Sequence, residues 1–159
     1  MLKYDLRIAT FLPALIMMCV IFHFSAEEAE TSTRTSTAVG RMIVMTVADL
    51  SHREYTEEEL TQRAIAVDGA VRKTAHMAEY ACLAALISVP LLLYGMRGKK
   101  LLFLTIFLPL LYAASDEYHQ TFVKGRSGNI RDVLIDGIGI IIYVIFLWKL
   151  SRKRDFTEN

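Results

Sequence analysis

Arg72, His76 and Glu79 stand at i, i+4 and i+7, so a helix carries all three on one stripe. Lys73, His76 and Tyr80 form an overlapping stripe. Further on, Asp116 and Gln120 are four apart with Glu117 beside them, and Asp132 and Asp136 are again four apart. Between these pairs lie Val123, Lys124, Gly125, Arg126, Ser127, Gly128 and Asn129, a tight loop whose amides can cradle an anion. Glu79 with His76 would make an acid–base pair, and Asp116 and Glu117 are further catalytic candidates. Arg72, Lys73 and Arg126 suit a phosphate or carboxylate, the guanidinium through its bidentate fork. His76, Glu79, Asp116 and Glu117 also offer nitrogen and oxygen metal ligands. The neighbouring cations oppose a metal, however, and neither metal nor cofactor is expected. No Gly-x-Ser-x-Gly elbow is present, and Ser127 reads as a turn residue.

The elements that must position these residues are apolar. The 159 residues suffice for one domain, spanning 1–159. Hydrophobic residues make up 53% and charged residues 22%, with a mean hydropathy of +0.34. Charge is dense between apolar runs and nearly absent within them. The runs predict an all-α integral membrane bundle of four transmembrane helices, at about 6–24, 74–94, 101–120 and 132–148. Pro13, Pro90 and Pro109 in or near the spans are tolerated because neighbouring helices satisfy the freed carbonyls. Cys19 and Cys82 lie in apolar runs and read as small hydrophobes, not as a disulfide. Phe24 stands where a small residue would be needed before a cut after Ala26, so the first run reads as an uncleaved span.

Lys and Arg set the orientation. Lys3 and Arg7 precede the first span. Arg97, Lys99 and Lys100 crowd the turn between spans two and three, and Lys149, Arg152, Lys153 and Arg154 follow the last. These places share one side of a four-span protein, which the positive-inside rule makes cytoplasmic. Both termini are then cytoplasmic, in a multi-pass protein of the plasma membrane, and residues 25–72 are external. That external segment should hold short helices. Thr56 and Glu59 form a capping box that starts a helix running from Glu57 to about Val67, and Gly69 marks a break before span two. Val39, Met42, Ile43, Met45, Val47 and Leu50 suggest another, lying on the membrane surface or on the bundle. The net charge of +1 gives no sign of a nucleic-acid partner.

The uncharged runs are too short. A crossing helix needs about 20 residues; the runs from Tyr80, Leu101 and Gly137 last roughly 17, 15 and 12. Each must extend at its outer end through ionisable residues: His76 and Glu79, Asp116 and Glu117, Asp132 and Asp136. Such groups cost about 2.5–3.5 kcal/mol each at mid-membrane. They are therefore expected to face one another or a water-filled cleft and to pair. The cations at hand are Arg72, Lys73, Arg126, Arg131 and the histidines His76 and His119; the acids are Glu79, Asp116, Glu117, Asp132 and Asp136.

In this set the chain resembles the VanZ-like family of membrane proteins. Its pattern runs through Arg72, Lys73, His76, Glu79 and Tyr80, then Asp116, Glu117, Gln120 and Phe122, then Gly125 and Arg126, then Asp132, Asp136 and Gly139. Phe24 and Ser25 fit a further element at the exit of span one, where Glu27 departs from the usual Gln. The resemblance implies a four-helix membrane protein, with a link through the founding member to teicoplanin-type glycopeptide resistance, and no known reaction. Arg72, Lys73, His76, Glu79, Asp116, Glu117, Gln120, Arg126, Asp132 and Asp136 are the expected ligand-binding set. Expected partners are membrane lipid and an anionic head group, a lipid-linked cell-wall precursor or a glycopeptide. An intramembrane enzyme acting on a lipid-linked phosphate or glycan is the alternative, and a mere stapling of helices by charge is the blander one.

Overall fold

The computed structural model describes residues 8–157, with side chains up to Ser151. Lys3, Leu6, Arg7 and the side chains of Arg152, Lys153 and Arg154, on which the orientation partly rests, lie outside the described residues. Among the described residues there are five helices and no strand: α1 Leu12–Ser25, α2 Ala29–Leu50, α3 Glu57–Leu93, α4 Gly98–Gln120 and α5 Ile130–Thr157.

By length and composition α3, α4 and α5 can each cross a membrane, and the fold is that of a multi-pass membrane protein. The fourth candidate is α1 together with α2, bent by 105° between them. On its own α1 has 14 residues, about 21 Å of helix. Only together are the two helices long and apolar enough for a crossing, and α2 runs across the direction of α1. Ring contact between Phe11 and Tyr94 and a hydrogen bond from Tyr112 Oη to Met18 O (2.6 Å) seat α1 on α3 and α4.

The expected break at Gly69 is absent: α3 is one helix of 37 residues. A helical glycine costs only about 1 kcal/mol. The N-terminal half of α3 recovers more than that by packing on α2, where Leu60, Ala64 and Ala48 are buried. A Cβ at Gly40 would sit 3.1 Å from Ala64 O. The small stripe of Ser36, Gly40 and Ala48 is thus the face that α2 buries. The helix expected around Val39 to Leu50 is the second half of this longer α2. At 37 residues α3 is about 55 Å long, so it overshoots the roughly 30 Å hydrocarbon core by its polar first half. The capping box at Thr56 and Glu59 is present. Accepting from the Thr56 amide holds the Glu59 carboxyl below the usual carboxylate range.

Pro90 and Pro109 are buried within α3 and α4. The apolar core joins all the spans, from Ile21 and Leu83 to Ala113, Ile140 and Leu147. Gly139 lets α5 touch the α3 backbone: a Cβ there would lie 2.0 Å from Met77 O. Cys19 and Cys82 are free thiols.

Candidate functional site

The polar residues of α3, α4 and α5 meet at the end of the bundle where α1 stops and the 121–129 loop turns. A cavity of about 300 Å³ opens there. Arg72, Lys73 and His76 line it from α3, Glu117 and Gln120 from α4, Arg126 from the loop, and Asp132 and Asp136 from α5. Of the ten residues expected at a site, eight stand in its wall. Glu79 lines an adjoining groove instead. Asp116 is buried behind the wall, where its Oδ2 accepts from Ser25 Oγ (2.6 Å) and Gln120 Nε2 (3.2 Å).

The expected pairing of acids with cations is largely absent, which corrects the sequence reading. Arg72 pairs with Asp68 at 2.6 Å, one turn back on its own helix, and Ser36 donates to the same carboxylate. Lys124 faces Glu28 at 3.6 Å. His76 Nδ1 lies 3.5 Å from Glu79 Oε2, a reach too long for a formed hydrogen bond. Arg126 forms no ion pair with a carboxylate among the described residues. Its Nε donates to Glu27 O (2.8 Å), its Nη2 to Phe24 O (3.1 Å) and its Nη1 to Gln120 Oε1 (3.2 Å). The guanidinium thereby clasps the elbow between α1 and α2, where Phe24 O also accepts from Glu27 N. Ala29 N also donates to Lys124 O, and Gly125, at φ 77°, lies close to Ala29.

The loop amides are partly spoken for as well. Asn129 N donates to Glu117 Oε2 (2.8 Å) and Arg126 N to Val123 O (3.1 Å). Asn129 Oδ1 accepts from Arg131 N, capping α5. The Glu117 carboxylate therefore sits at the start of α5, where the helix dipole favours an anion. Gly128 is required there, since a Cβ would lie 2.3 Å from Glu117 O.

Several groups at this end have no hydrogen-bond partner among the described residues. They are Arg72 Nε, His76 Nδ1, Tyr80 Oη, Asp116 Oδ1 and His119 Nδ1, all buried. Asp136 is 4% exposed. Beside the cavity an apolar groove of about 240 Å³ runs between α2 and α3. Phe24, Val39, Val71 and Ala75 line it, and Arg72, His76 and Arg126 form the wall it shares with the cavity. Among the described residues no three His, Cys, Asp or Glu side chains are placed to hold a metal ion.

Two contributors escaped the sequence reading of the site. Ser25 was marked only as part of the Phe24–Ser25 resemblance, yet it is fully buried and bonded to Asp116. Asp68 carried no signal beyond its spacing of four from Arg72, the usual distance for a helical ion pair.

A family model described as VanZ/LLP1 matches residues 10–152. No curated protein and no solved structure matches the chain.

Proposed function

The chain belongs to the VanZ/LLP1 family, and on that premise we propose that it binds an anionic envelope lipid by its head group. The site is the cavity between α3, α4 and α5, at the external face of the plasma membrane, with both termini cytoplasmic. One observation carries the reading: Arg72 Nε is a buried donor without an acceptor, in the wall of a cavity it shares with Lys73 and Arg126. An unmet buried donor costs about 1–3 kcal/mol, more when charged, and a phosphate oxygen would relieve that cost. The apolar groove that shares Arg72, His76 and Arg126 with the cavity offers a bed for the lipid chain. About 300 Å³ is at the small end of ligand sites, which suits a head group or the head of a lipid-linked cell-wall precursor better than a whole glycopeptide. A role in teicoplanin-type glycopeptide resistance, or in another envelope process, would follow from holding such a lipid.

Lys73 is exposed and makes no described ion pair. Lys73→Gln should therefore weaken binding of anionic lipid to the purified protein about tenfold, the value of one charge-assisted hydrogen bond, with the melting temperature unchanged. If the unaltered protein does not distinguish anionic lipid from phosphatidylcholine, the proposal fails. The membrane side has its own check. In a background lacking Cys19 and Cys82, a cysteine at position 58 should react with an impermeant reagent on intact cells, and one at position 98 should not.

A second reading makes the same site an intramembrane enzyme for a lipid-linked phosphate or glycan. The approach of His76 Nδ1 to Glu79 Oε2 at 3.5 Å favours it, because a bound substrate can tighten such a contact into an acid–base pair. Turnover of a lipid phosphate that disappears in both His76→Gln and Glu79→Gln would select this reading over binding alone.

A further inference from the structure

The cavity has two unlike walls. Arg72, Lys73 and Arg126 stand on the α3 and loop side; Asp132 and Asp136 stand on α5, with Glu117 next to them. The Glu117 carboxylate is engaged by the Asn129 amide. Asp136 is more than nine-tenths buried, and neither its carboxyl group nor that of Asp132 makes a hydrogen bond or ion pair among the described residues. Ionised carboxylates only accept hydrogen bonds. A ligand that was nothing but an anion would satisfy the basic wall and leave the Asp132 and Asp136 carboxyl oxygens without a hydroxyl to accept from.

We infer that the ligand is a phosphate diester of a hydroxylated alcohol such as glycerol or a sugar, its phosphate on Arg72 and Lys73 and a hydroxyl donating to Asp136. The inference rests on the lipid-binding reading above and narrows it. The donor must be neutral because the ligand stays anionic under that reading; an ammonium would cancel the charge that the basic wall meets. A bare phosphate monoester lacks an alcohol hydroxyl set apart from the phosphate. Asp132, one turn before Asp136 on the same face of α5, is placed to take a second hydroxyl of the same head group.

The test uses the full chain in detergent, titrated with short-chain lipids and read by native mass spectrometry. Phosphatidylglycerol should bind about tenfold more tightly than phosphatidic acid, although phosphatidic acid carries the greater charge. Asp136→Asn keeps the shape but weakens the acceptor, and should bring that ratio close to one while leaving phosphatidic acid bound. Asp132→Asn, at a less buried position, should lower the ratio part of the way and serves if the first variant does not fold. Phosphatidic acid binding as tightly as phosphatidylglycerol would overturn the inference and leave the anionic-lipid reading standing. So would a ratio that survives both substitutions. Equal binding of phosphatidic acid and phosphatidylcholine would instead overturn the reading on which the inference rests.

Discussion

At the turn joining α3 to α4, Leu91 and Leu101 are buried in a shared apolar core. Arg97 there donates to the carbonyls of Leu92 and Met96, both at 2.8 Å, and Ser88 meets Tyr143 Oη at 2.5 Å deeper in the same half. Among the described residues of that half, Thr105 Oγ1 alone is buried without a hydrogen-bond partner. At the opposite end five buried polar atoms among the described residues lack hydrogen-bond partners, although acids and cations abound there. The contrast separates two uses of charge in an apolar bundle. Arg97 and Arg126 close off helix ends by gripping carbonyls, and that structural work is complete. Arg72, His76, Asp132 and Asp136 face a cavity, and their pairing is incomplete. A set of charges kept only to staple helices would pair within itself, since an uncompensated buried charge costs about 3–5 kcal/mol.

The largest effect should come from backbone contact rather than charge. Gly139→Ala places a methyl 2.0 Å from Met77 O. It should destabilise the protein by about 3 kcal/mol or more, at the upper end of overpacking. Gly137→Ala, two residues earlier, meets only Leu110 Cδ1 at 3.6 Å and should leave the melting temperature unchanged or slightly raised. Equal losses from both would mean that α3 and α5 are not packed through Gly139.

Next comes Arg126→Lys. A single ammonium cannot reproduce the planar fork that reaches Phe24 O, Glu27 O and Gln120 Oε1. Stability should fall by about 2–3 kcal/mol, while the preference for anionic lipid among folded molecules should change little. Loss of that preference with stability intact would move Arg126 from the clasp to the ligand. Glu79→Gln should do the reverse, abolishing any resistance phenotype with expression and thermal stability nearly unchanged. Function lost only in proportion to folded protein would return the cavity to a structural role.

What the sequence made legible followed from local pattern. The apolar runs located α3, α4 and α5, and the i, i+4 stripes contain Arg72, Lys73, His76, Gln120, Asp132 and Asp136, which line the cavity, while Glu79 and Asp116 of the same stripes lie outside its wall. Partner choice was not legible. Arg126 is bound to Phe24 O and Glu27 O, about a hundred residues away, through an elbow that no local pattern announces. The continuity of α3 through Gly69 was hidden for the same reason. A Cβ at Gly69 would meet nothing within 4 Å, so the glycine neither requires nor causes a break, and the helix is held by distant packing on α2.

The smallest effect belongs to the capping box of α3. Glu59 has its pKa lowered, first by the Thr56 amide and then by the Thr56 hydroxyl. Its contribution is therefore present above the ordinary glutamate value of 4.5 and lost as pH falls through the depressed one. The small difference in melting temperature between the protein and Glu59→Ala should shrink as the pH drops below that value. A difference that grew instead would contradict the cap.

The most direct test of the central claim is a structure of the protein in nanodiscs containing phosphatidylglycerol. A phosphate should lie between α3 and the 121–129 loop, within about 3 Å of Arg72 Nε and Lys73 Nζ, with its chain in the groove between α2 and α3. Lipid bound only to the outer apolar faces, with Arg72 or Lys73 turned onto Asp132 or Asp136, would contradict it.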